Sequence, residues 1–422
     1  MSQPTTHPHP PVDGAPRRLA PWGILLALAW LCAADWPQWR GPARDGHAFG
    51  ARLPQAWSAE TLRPVWSVPV GSGYSSPAIA DGRLFLHARE GDQEVVVCLD
   101  ARAGREIWRR PYPAPYTMHP AALDHGPGPK ATTTVADGKV FAFGITSILS
   151  CLDAATGKVI WQRDLKKDFD PEPAEYGTAG SPLVDGGRVI VPVGGKQGGA
   201  VMAFNQDTGE MIWRAIPGER PGMSSPLAVT LAGKAQVVTF TEAHLVGLDP
   251  ASGGVVWKHP FTTPYRQNIV TPAIVDDLVI ASGTGRPGFA LRIEKNGDAV
   301  AASEAWSNPR LQLYLSSPVV AGDHVYGPNW RGELVCVDAR RGETAWAKPG
   351  FGRYASIVAA GDQLLVLDNQ GDLIVVAADA SAYRELGRAK LTDAETWSHL
   401  AVVENRLYIR DLQEMRCFEI SE

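Results

Sequence analysis

Side chains suited to ligand contact stand just before each copy of a recurring Ser-Pro phrase or its equivalent. Five of these eight residues are aromatic and one is a lysine: Tyr74, Lys130, Tyr176, Met223, Asn268, Tyr314, Tyr354 and Trp397. Arg266, Arg353 and His399 stand beside them and add donors and positive charge. Aromatic rings mixed with a few cations suit peptides, sugars or planar ligands. The chemistry that this set predicts is binding.

The residues act together only if the chain brings them to one face, and the Ser-Pro phrase indicates how. The phrase joins Ser-Pro to alternating apolar residues and an Asp-Gly-type turn, most fully in residues 76–86. It returns at Ser181, Ser225, Thr271 and Ser317. Apolar alternation around turns that need a positive φ is typical of antiparallel hairpins. Loops that lead into equivalent strands gather at one face, so these residues are expected to converge.

A second phrase, Leu-Asp-Ala-x-x-Gly-x-x-x-Trp, closes most repeats. Its Asp can accept hydrogen bonds from the backbone of the following turn, and its Gly supplies a left-handed position. The Trp ring is expected to fill the wedge between neighbouring repeats. Intervals of 53, 52, 44, 49 and 40 residues separate the successive tryptophans Trp108, Trp161, Trp213, Trp257, Trp306 and Trp346. Repeats of this length predict propeller blades of four strands.

The ends of the chain decide how many blades there are. Two degenerate repeats follow Trp346, and the last of them lacks a Trp strand. A Trp strand without a blade stands near the other end, at Arg63-Pro64-Val65-Trp66-Ser67-Val68. Joining the two predicts an all-β, eight-bladed propeller of four-stranded antiparallel blades over residues 62–422. Such closure by an N-terminal strand removes exposed sheet edges.

The first 34 residues predict export. They run from a Pro- and His-rich leader through Arg17-Arg18 and a short apolar stretch to Ala34, as in a secretory signal peptide. The stretch is too short to favour a membrane span, and Leu31 argues against lipidation of Cys32. A net charge of −5 without a Lys/Arg run argues against nucleic acid as a partner. We expect a monomer in the periplasm or cell envelope, with no transmembrane span in the mature chain.

Residue types that could build disulfides or a metal site are distributed around the ring. Four cysteines occupy the same strand position in different blades: Cys98, Cys151, Cys336 and Cys417. Positions related in this way lie too far apart for disulfides, so we expect these cysteines to be buried and unpaired. The acidic residues of the second phrase are separated in the same way and are expected to shape turns: Asp100, Asp153, Asp249 and Asp338. No Ser-His-Asp arrangement is predicted.

Two segments leave alternatives open. Residues 35–61 form a separate N-terminal segment, with two Trp and two Arg between Asp35 and Gly46. This segment caps the bottom or side of the propeller, or it is a strip that binds a partner. The insertion from Pro111 to Lys130 is longer than other connections and is expected to overhang the aromatic face. It is either a functional lid or a tolerated surface insertion.

The two phrases and the eightfold count resemble the pyrroloquinoline quinone (PQQ) repeat family over residues 62–422. The segment Asp35 to Gly46 resembles the opening of secreted PQQ-repeat proteins of planctomycete type. One branch of the family, the quinoprotein dehydrogenases, implies PQQ and calcium at the propeller axis. The non-catalytic branch, which includes the lipoprotein propeller of the outer-membrane β-barrel assembly machinery, implies binding of protein segments.

The sequence favours the non-catalytic branch. Quinoprotein alcohol dehydrogenases carry a vicinal Cys-Cys pair, whereas this chain has neither adjacent cysteines nor a Cys-x-x-Cys-His haem motif. We predict a binding or scaffold module for a protein or extended ligand in the cell envelope, without a cofactor. The predicted contact residues are Tyr74, Lys130, Tyr176, Asn268, Tyr314, Arg353, Tyr354 and Trp397.

Three alternatives remain for the same residues. The rings could pack only against each other and fill the axis. The face could bind PQQ in an alcohol or sugar oxidoreductase, with contacts from Tyr314, Trp397, Lys130 and Arg353. It could also bind carbohydrate, a hypothesis that rests on composition.

Overall fold

The computed structural model describes Met1 and residues 35–58, 60–168, 176–195, 198–297 and 299–421. The predicted signal peptide, with Arg17-Arg18 and Cys32, lies outside these ranges except for Met1. Within them, eight four-stranded antiparallel sheets follow one another along the chain. The prediction of an eight-bladed propeller is confirmed.

We number the blades 1 to 8 along the chain and name the strands of each blade inner, second, third and outer. The inner strands are Ala78–Ala80, Thr134–Ala136, Leu183–Asp185, Leu227–Leu231, Ala273–Val275, Val319–Ala321, Ala355–Ala360 and Ala401–Val403. The second strands are Arg83–Glu90, Lys139–Phe143, Arg188–Val191, Lys234–Phe240, Leu278–Gly283, His324–Pro328, Gln363–Asp368 and Arg406–Arg410. The third strands are Gln93–Asp100, Ile148–Asp153, Val201–Asn205, His244–Leu248, Arg286–Asn296, Glu333–Asp338, Asp372–Ala377 and Glu414–Ile420. The outer strands are Glu106–Pro113, Val159–Asp164, Met211–Ala215, Val255–Pro260, Ala299–Asn308, Thr344–Pro349, Glu385–Lys390 and, for blade 8, Leu62–Pro69.

The strand order gives the propeller two different faces. Inner strands contact the inner strands of neighbouring blades and so surround the axis. The face where the chain enters each inner strand also carries the turns between second and third strands, and we call it the entry face. The opposite face carries the Asp-Gly-type turns and the turns of the Leu-Asp-Ala-x-x-Gly phrase, and we call it the clamp face.

Helical structure in the described residues is confined to short segments between strands. These are the α-helix Leu165–Asp168 and the 3-10 helices Pro120–His125 and Pro264–Arg266. No helix in the described ranges has the length and apolar character needed to cross a bilayer.

The N-terminal strand closes the ring as predicted. Leu62–Pro69 pairs antiparallel with Glu414–Ile420, from Leu62 opposite Ile420 to Pro69 opposite Glu414, with a bulge between Pro64 and Trp66. Blade 8 is therefore built from both terminal regions of the propeller. Its outer strand carries Trp66, and the Nε1–H of Trp66 donates to the carbonyl oxygen of Ala101 in blade 1 at 3.2 Å.

The Trp and Gly of the second phrase form one contact between neighbouring blades. Trp213 of blade 3 is 7% exposed, and its Nε1–H donates to the carbonyl oxygen of Pro250 in blade 4 at 3.1 Å. Its ring covers Gly253, where a Cβ would lie 2.6 Å from a ring carbon. The predicted wedge is confirmed, and the glycine is required because only a residue without Cβ fits under the ring. The hydrogen bond recurs from Trp108 to Ala154, Trp161 to Gln206, Trp306 to Ala339 and Trp346 to Asp379.

Blade 5 departs from this pattern. Its third and outer strands, Arg286–Asn296 and Ala299–Asn308, form an extended hairpin in place of the short turn. Trp257 of blade 4 accordingly donates within its own blade, to Oε1 of Gln236 at 2.6 Å. The exception shows that the short turn is what receives the preceding tryptophan.

Acidic turn residues and cysteines have the structural roles that the sequence predicted. Oδ1 of Asp100 accepts from the backbone N–H groups of Arg102 and Ala103, each at 2.9 Å. Equivalent bonds occur at Asp153, Asp249 and Asp338. The free, buried cysteines are Cys98, Cys151, Cys336 and Cys417.

The Ser of the Ser-Pro phrase joins blades around the axis, a role that the sequence did not reveal. In each case the hydroxyl oxygen accepts the backbone N–H of the equivalent residue in the preceding blade. Oγ of Ser181 accepts from Thr132 at 2.9 Å, and Oγ of Ser76 accepts from His399 at 2.8 Å across the ring closure. Further bonds of this kind link Ser76 to Thr132, Ser181 to Ser225 and Thr271 to Ser317. These bonds fix the inner strands at the level where the predicted contact residues stand.

Candidate functional site

The residues before the inner strands meet at the entry face around a cavity of about 150 Å³ on the propeller axis. We call this cavity the axial cup. Five of the predicted contact residues line it: Tyr74, Lys130, Tyr176, Tyr314 and Trp397. Met223, which the sequence placed in the same series, lines it as well.

One wall of the cup is a continuous group of aromatic rings. The ring centroid of Trp397 lies 5.5 Å from that of Tyr74 and 4.6 Å from that of Tyr354. Tyr354 stacks on Tyr314 at 5.4 Å, and the guanidinium of Arg353 lies 5.5 Å from the Tyr314 ring. Tyr354 borders a smaller neighbouring cavity, so Tyr354 and Arg353 support the wall from outside the lining. The rings pack against each other, yet they leave the cup open.

Asn268, a predicted contact residue, does not line the cup. Its side chain is buried and its Nδ2 donates to the carbonyl oxygen of Thr241 at 2.7 Å, while its Oδ1 accepts from Oγ1 of Thr263 at 2.9 Å. Gln267 lines the cup in its place. The short 3-10 helix Pro264–Arg266 precedes Asn268, and Arg266 has a positive φ of 55°.

The long insertion after blade 1 supplies a wall of the cup, as the expected overhang implied. His125, at the end of the 3-10 helix Pro120–His125, has its ring 5.4 Å from that of Tyr176 and 5.3 Å from that of Trp397. Arg89 holds the insertion in place, because its Nε donates to the carbonyl oxygen of Pro127 and its Nη2 to that of Ala114, each at 2.8 Å. The sequence had singled out the segment but had not assigned His125 to the site.

Residues 35–48 fill the axis beneath the cup, and we call them the axial plug. Trp36 pairs with Ile79 of blade 1, and the N–H of Ala48 donates to the carbonyl oxygen of Ala359 in blade 7. Between these anchors, the Nε1–H of Trp39 donates to Oγ1 of Thr271 at 3.0 Å, and Trp39 lines the cup. The segment was expected to cap the bottom or side of the propeller or to bind a partner, whereas the structure places it inside the ring, where Trp39 contributes to the lining of the cup.

Two buried arginines attach the plug to the Ser-Pro level. Nη1 of Arg44 donates to the carbonyl oxygen of Pro182 at 2.7 Å and Nη2 to that of Ser181 at 2.9 Å, while Arg40 donates to that of Pro318. Burial lowers the pKa of Arg40 to about 10 and that of Arg44 to about 9. Backbone carbonyl dipoles therefore bind both cations, and the cup is closed at its base.

Lys130 is the only Lys, Arg, Asp or Glu among the described residues that line the cup. Lys130 Nζ lies 5.6 Å from the centroid of the Tyr74 ring, and burial lowers the pKa of Lys130 to about 8, against the opposing charge of Glu94. Burial, together with the charges of Lys130 and Arg353, lowers the pKa of His125. Burial raises the pKa of Tyr74 to about 12. The described lining thus combines one cation with aromatic rings, and the charge of Glu395, which lies outside the lining, contributes to the raised pKa of Tyr74.

The lining does not fit the calcium ion of the dehydrogenase branch. Calcium takes about six to eight oxygen ligands, with carboxylates prominent among them. The described residues contain no group of three His, Cys, Asp or Glu able to hold a metal ion, and no carboxylate reaches the cup. The cup, with a volume of about 150 Å³, is open to solvent on the entry face.

Comparisons with known proteins identify related sequences and folds. The family described as "Outer membrane protein assembly factor BamB" matches residues 50–110, 91–348 and 269–384. BamB of Shewanella oneidensis is 25% identical over 289 residues, which are 65% of this chain and 71% of that protein. The crystal structure of BamB from Moraxella catarrhalis has a TM-score of 0.62 at 20% identity, covering 86% of this chain and 98% of that one.

A quinoprotein relative matches a smaller part of the chain. Quinohemoprotein alcohol dehydrogenase ADH-IIG of Pseudomonas putida is 28% identical over 188 residues, which are 43% of this chain. These residues span only 24% of the dehydrogenase.

Proposed function

This chain belongs to the family of the outer membrane protein assembly factor BamB, a family of PQQ-repeat β-propellers, and on that premise we propose that it is a non-catalytic binding or scaffold module. Its ligand is a segment of a partner protein or another extended ligand in the cell envelope. The observation that carries the proposal is the axial cup, which is walled by aromatic rings, closed at its base by the axial plug and sized for a single ring.

The size of the cup favours anchoring of one side chain over enclosure of a whole ligand. About 150 Å³ accepts a group the size of a benzene ring, so the remainder of the ligand lies on the entry face. Exposed apolar residues stand on that face: Trp330, in the turn between the second and third strands of blade 6, is 49% exposed, and Leu123 of the insertion is 65% exposed. The guanidinium of Arg331 lies 5.3 Å from the Trp330 ring. Trp, Tyr and Arg are the residues that most often dominate binding energy at protein interfaces.

The family relationship also supports a cellular location for the protein. Relatives named as outer membrane protein assembly factors support a place in the cell envelope. We propose that residues 1–34 direct this chain there as a signal peptide and that the propeller acts as a monomer.

Affinity capture from envelope extract, with the cup altered, tests the proposal. The double variant Tyr314→Ser/Trp397→Ser removes two rings of the cup, and Val255→Ser, at a 51% exposed position on an outer strand, is the matched control. We expect a partner recovered with the wild type and with Val255→Ser to be lost with the double variant. Equal recovery with all three proteins would place the binding surface elsewhere.

A second candidate is a PQQ-dependent oxidoreductase of alcohols or sugars. The observation in its favour is the pairing of flat rings with cations, since Lys130 lies over Tyr74 and Arg353 lies over Tyr314. Incubation with PQQ and calcium, followed by dye reduction with a panel of alcohols and sugars, separates the two candidates. Turnover would overturn the non-catalytic proposal. A PQQ titration without a saturable absorbance change would remove the second candidate.

A further inference from the structure

We propose that Lys130 is a covalent binding site for a carbonyl compound, and that its amine forms an imine with an aromatic aldehyde whose ring lies in the axial cup. Such a site goes beyond the proposed function and does not depend on it, since it takes a small molecule rather than a segment of a partner protein. The position of the amine, its lack of polar partners and the hydrogen bonds that hold its backbone carry the assignment.

The amine of Lys130 has no polar partner in the part of the chain that the structure describes. Its Nζ makes neither a hydrogen bond nor an ion pair there, and it lies 5.6 Å from the centroid of the Tyr74 ring. The acid that acts on it, Glu94, is buried and already accepts from the Tyr112 hydroxyl at 2.7 Å and from the Ile145 N–H at 2.8 Å. An ammonium without a carboxylate partner is less strongly held in its charged form.

The cup surrounds this amine with aromatic rings and leaves it open to the entry face. Four aromatic residues line the cup with Lys130: Tyr74, Tyr176, Tyr314 and Trp397. Such surroundings disfavour the ammonium, and burial lowers the pKa of Lys130 to about 8. At pH 7 roughly a tenth of Lys130 is then the neutral amine, against about one molecule in a few thousand for a lysine with the ordinary pKa of about 10.4.

Hydrogen bonds fix the backbone on both sides of Lys130. The carbonyl oxygen of Pro129 accepts the N–H of Tyr74 at 2.8 Å. Two residues beyond Lys130, the N–H of Thr132 donates to Oγ of Ser181 at 2.9 Å. The attachment point of the side chain is therefore set at the level of the inner strands, so a ligand gains the amine without the cost of ordering a loop.

An amine in this position reacts with an aldehyde by a sequence that needs no further reagent. The lone pair of Nζ attacks the carbonyl carbon, and one N–H proton passes to the carbonyl oxygen, which gives a carbinolamine. Loss of the second N–H proton together with the hydroxyl group releases water and leaves the C=N bond of the imine. Solvent at the open entry face carries these protons. Lysines that are desolvated in apolar pockets form such bonds with carbonyl compounds.

The walls of the cup decide the class of aldehyde. A flat ring gains from contact with tyrosine and tryptophan rings in offset or edge-to-face geometry. The cup, with a volume of about 150 Å³, offers that contact beside the amine. An aliphatic aldehyde gains less from the same walls, so the site is assigned to aromatic aldehydes, of which benzaldehyde is the simplest.

Reductive trapping tests the assignment. The protein is incubated at pH 7 with benzaldehyde and sodium cyanoborohydride, which converts each imine into a stable amine, and peptide mass spectrometry gives the rate at each lysine. Two lysines are internal references: Lys258 is exposed on the outer strand of blade 4, and Nζ of Lys139 is paired with Oδ1 of Asp207 at 2.8 Å. We expect modification of Lys130 to be about tenfold faster than that of Lys258, because the larger neutral fraction outweighs the lower basicity of the nitrogen. Lys139 should be the slowest of the three.

A second aldehyde and a variant of the cup separate the role of the ring from that of the amine. Propanal has no ring, so its preference for Lys130 over Lys258 should be about threefold smaller than that of benzaldehyde. Tyr314→Ser/Trp397→Ser removes two aromatic walls and should lower the benzaldehyde preference to the propanal value. A slow rate at Lys139 in this variant shows that the protein is folded.

Each outcome has a distinct meaning. Modification of Lys130 no faster than that of Lys258 overturns the covalent site. Equal preferences with the two aldehydes, or a benzaldehyde preference that the double variant leaves unchanged, overturn the assignment to aromatic aldehydes. Val255→Ser, at an exposed position outside the cup, is the control and should keep the wild-type preference. These results are independent of partner capture, so the proposed function fails only in its own test.

Discussion

Tryptophan rings rest on glycines where neighbouring blades meet, and this contact accounts for both residue types. Gly253 has a φ of +71° and lies beneath Trp213, whereas Gly138 has nearly the same φ, +70°, and open space around the position of a Cβ. Substitution of each glycine by alanine therefore distinguishes two contributions to the free energy of unfolding: the cost of a Cβ in a left-handed backbone and the cost of displacing the Trp213 ring.

We expect Gly138→Ala to lower the free energy of unfolding by about 1 kcal/mol, the cost of placing a Cβ in a left-handed conformation. Gly253→Ala should cost about 3 kcal/mol, because its Cβ also pushes against Trp213. Urea denaturation of both variants measures the difference. Equal losses would mean that the ring contributes nothing to the requirement for glycine.

Lys130 makes a pH-dependent contribution to stability. Burial lowers its pKa from 10.5 to about 8, so the folded state disfavours the ammonium relative to the unfolded state. This destabilisation is fully present below pH 8 and is lost as the pH rises from 8 to 10.5. Tyr74, whose pKa is raised to about 12, stays neutral over that range.

We therefore expect Lys130→Met to be more stable than the wild type at pH 7, and we expect this gain in the free energy of unfolding to shrink at pH 9.5. Denaturation midpoints that differ by the same amount at both pH values would contradict this assignment.

Among the elements, the axial plug decides the depth of the cup. Trp39 forms part of the lining from below, and its indole N–H is held by Thr271. Trp39→Ala should deepen the cavity enough for a two-ring group. We expect this variant to bind a short peptide with a central naphthylalanine better than the same peptide with phenylalanine, the reverse of the wild type.

Phe49→Ala, at a 57% exposed position just beyond the plug, is the control and should keep the wild-type order. Calorimetric affinities of the two peptides for the three proteins provide the measurement. An unchanged order in Trp39→Ala would show that the plug does not limit the cup.

The elements also show where sequence reasoning succeeds and where it stops. Strands, turns and the closing strand at Trp66 were predictable because apolar alternation and turn residues are local signals. The place of the plug was not, since Arg44 meets Ser181 and Pro182 far along the chain and no local pattern encodes that contact. Asn268 does not line the cup because its side-chain amide bonds to Thr241 and Thr263, and no local pattern in the sequence encodes those contacts.

At the scale of the whole molecule, a non-covalent joint closes the ring. Arg63 of the closing strand lies opposite Glu419, and Thr230 lies opposite Ala235 within one hairpin of blade 4. A disulfide at the first pair would close a loop of nearly the whole propeller, whereas a disulfide at the second pair would close only a short turn. The two variants therefore compare the effect of a long loop with that of a short one. The four cysteines within the described residues are buried and free, so they do not compete.

We expect Arg63→Cys/Glu419→Cys to form a disulfide and to raise the unfolding free energy by about 3 kcal/mol more than Thr230→Cys/Ala235→Cys, because its loop is far longer. Denaturation of oxidised and reduced forms gives both values. Failure of the terminal pair to oxidise, or equal gains from the two disulfides, would contradict closure of the ring at this joint.

The molecule as a whole is asymmetric: the clamp face carries the tryptophan contacts between blades, and the entry face carries the axial cup. Site-specific photo-crosslinking in cells tests this division most directly, with a benzophenone amino acid at Tyr314 in the cup or at Val255 on an outer strand. The proposed function predicts a discrete crosslinked partner from Tyr314 and none from Val255. No adduct from Tyr314, or the same adducts from both positions, would contradict a binding role for the cup.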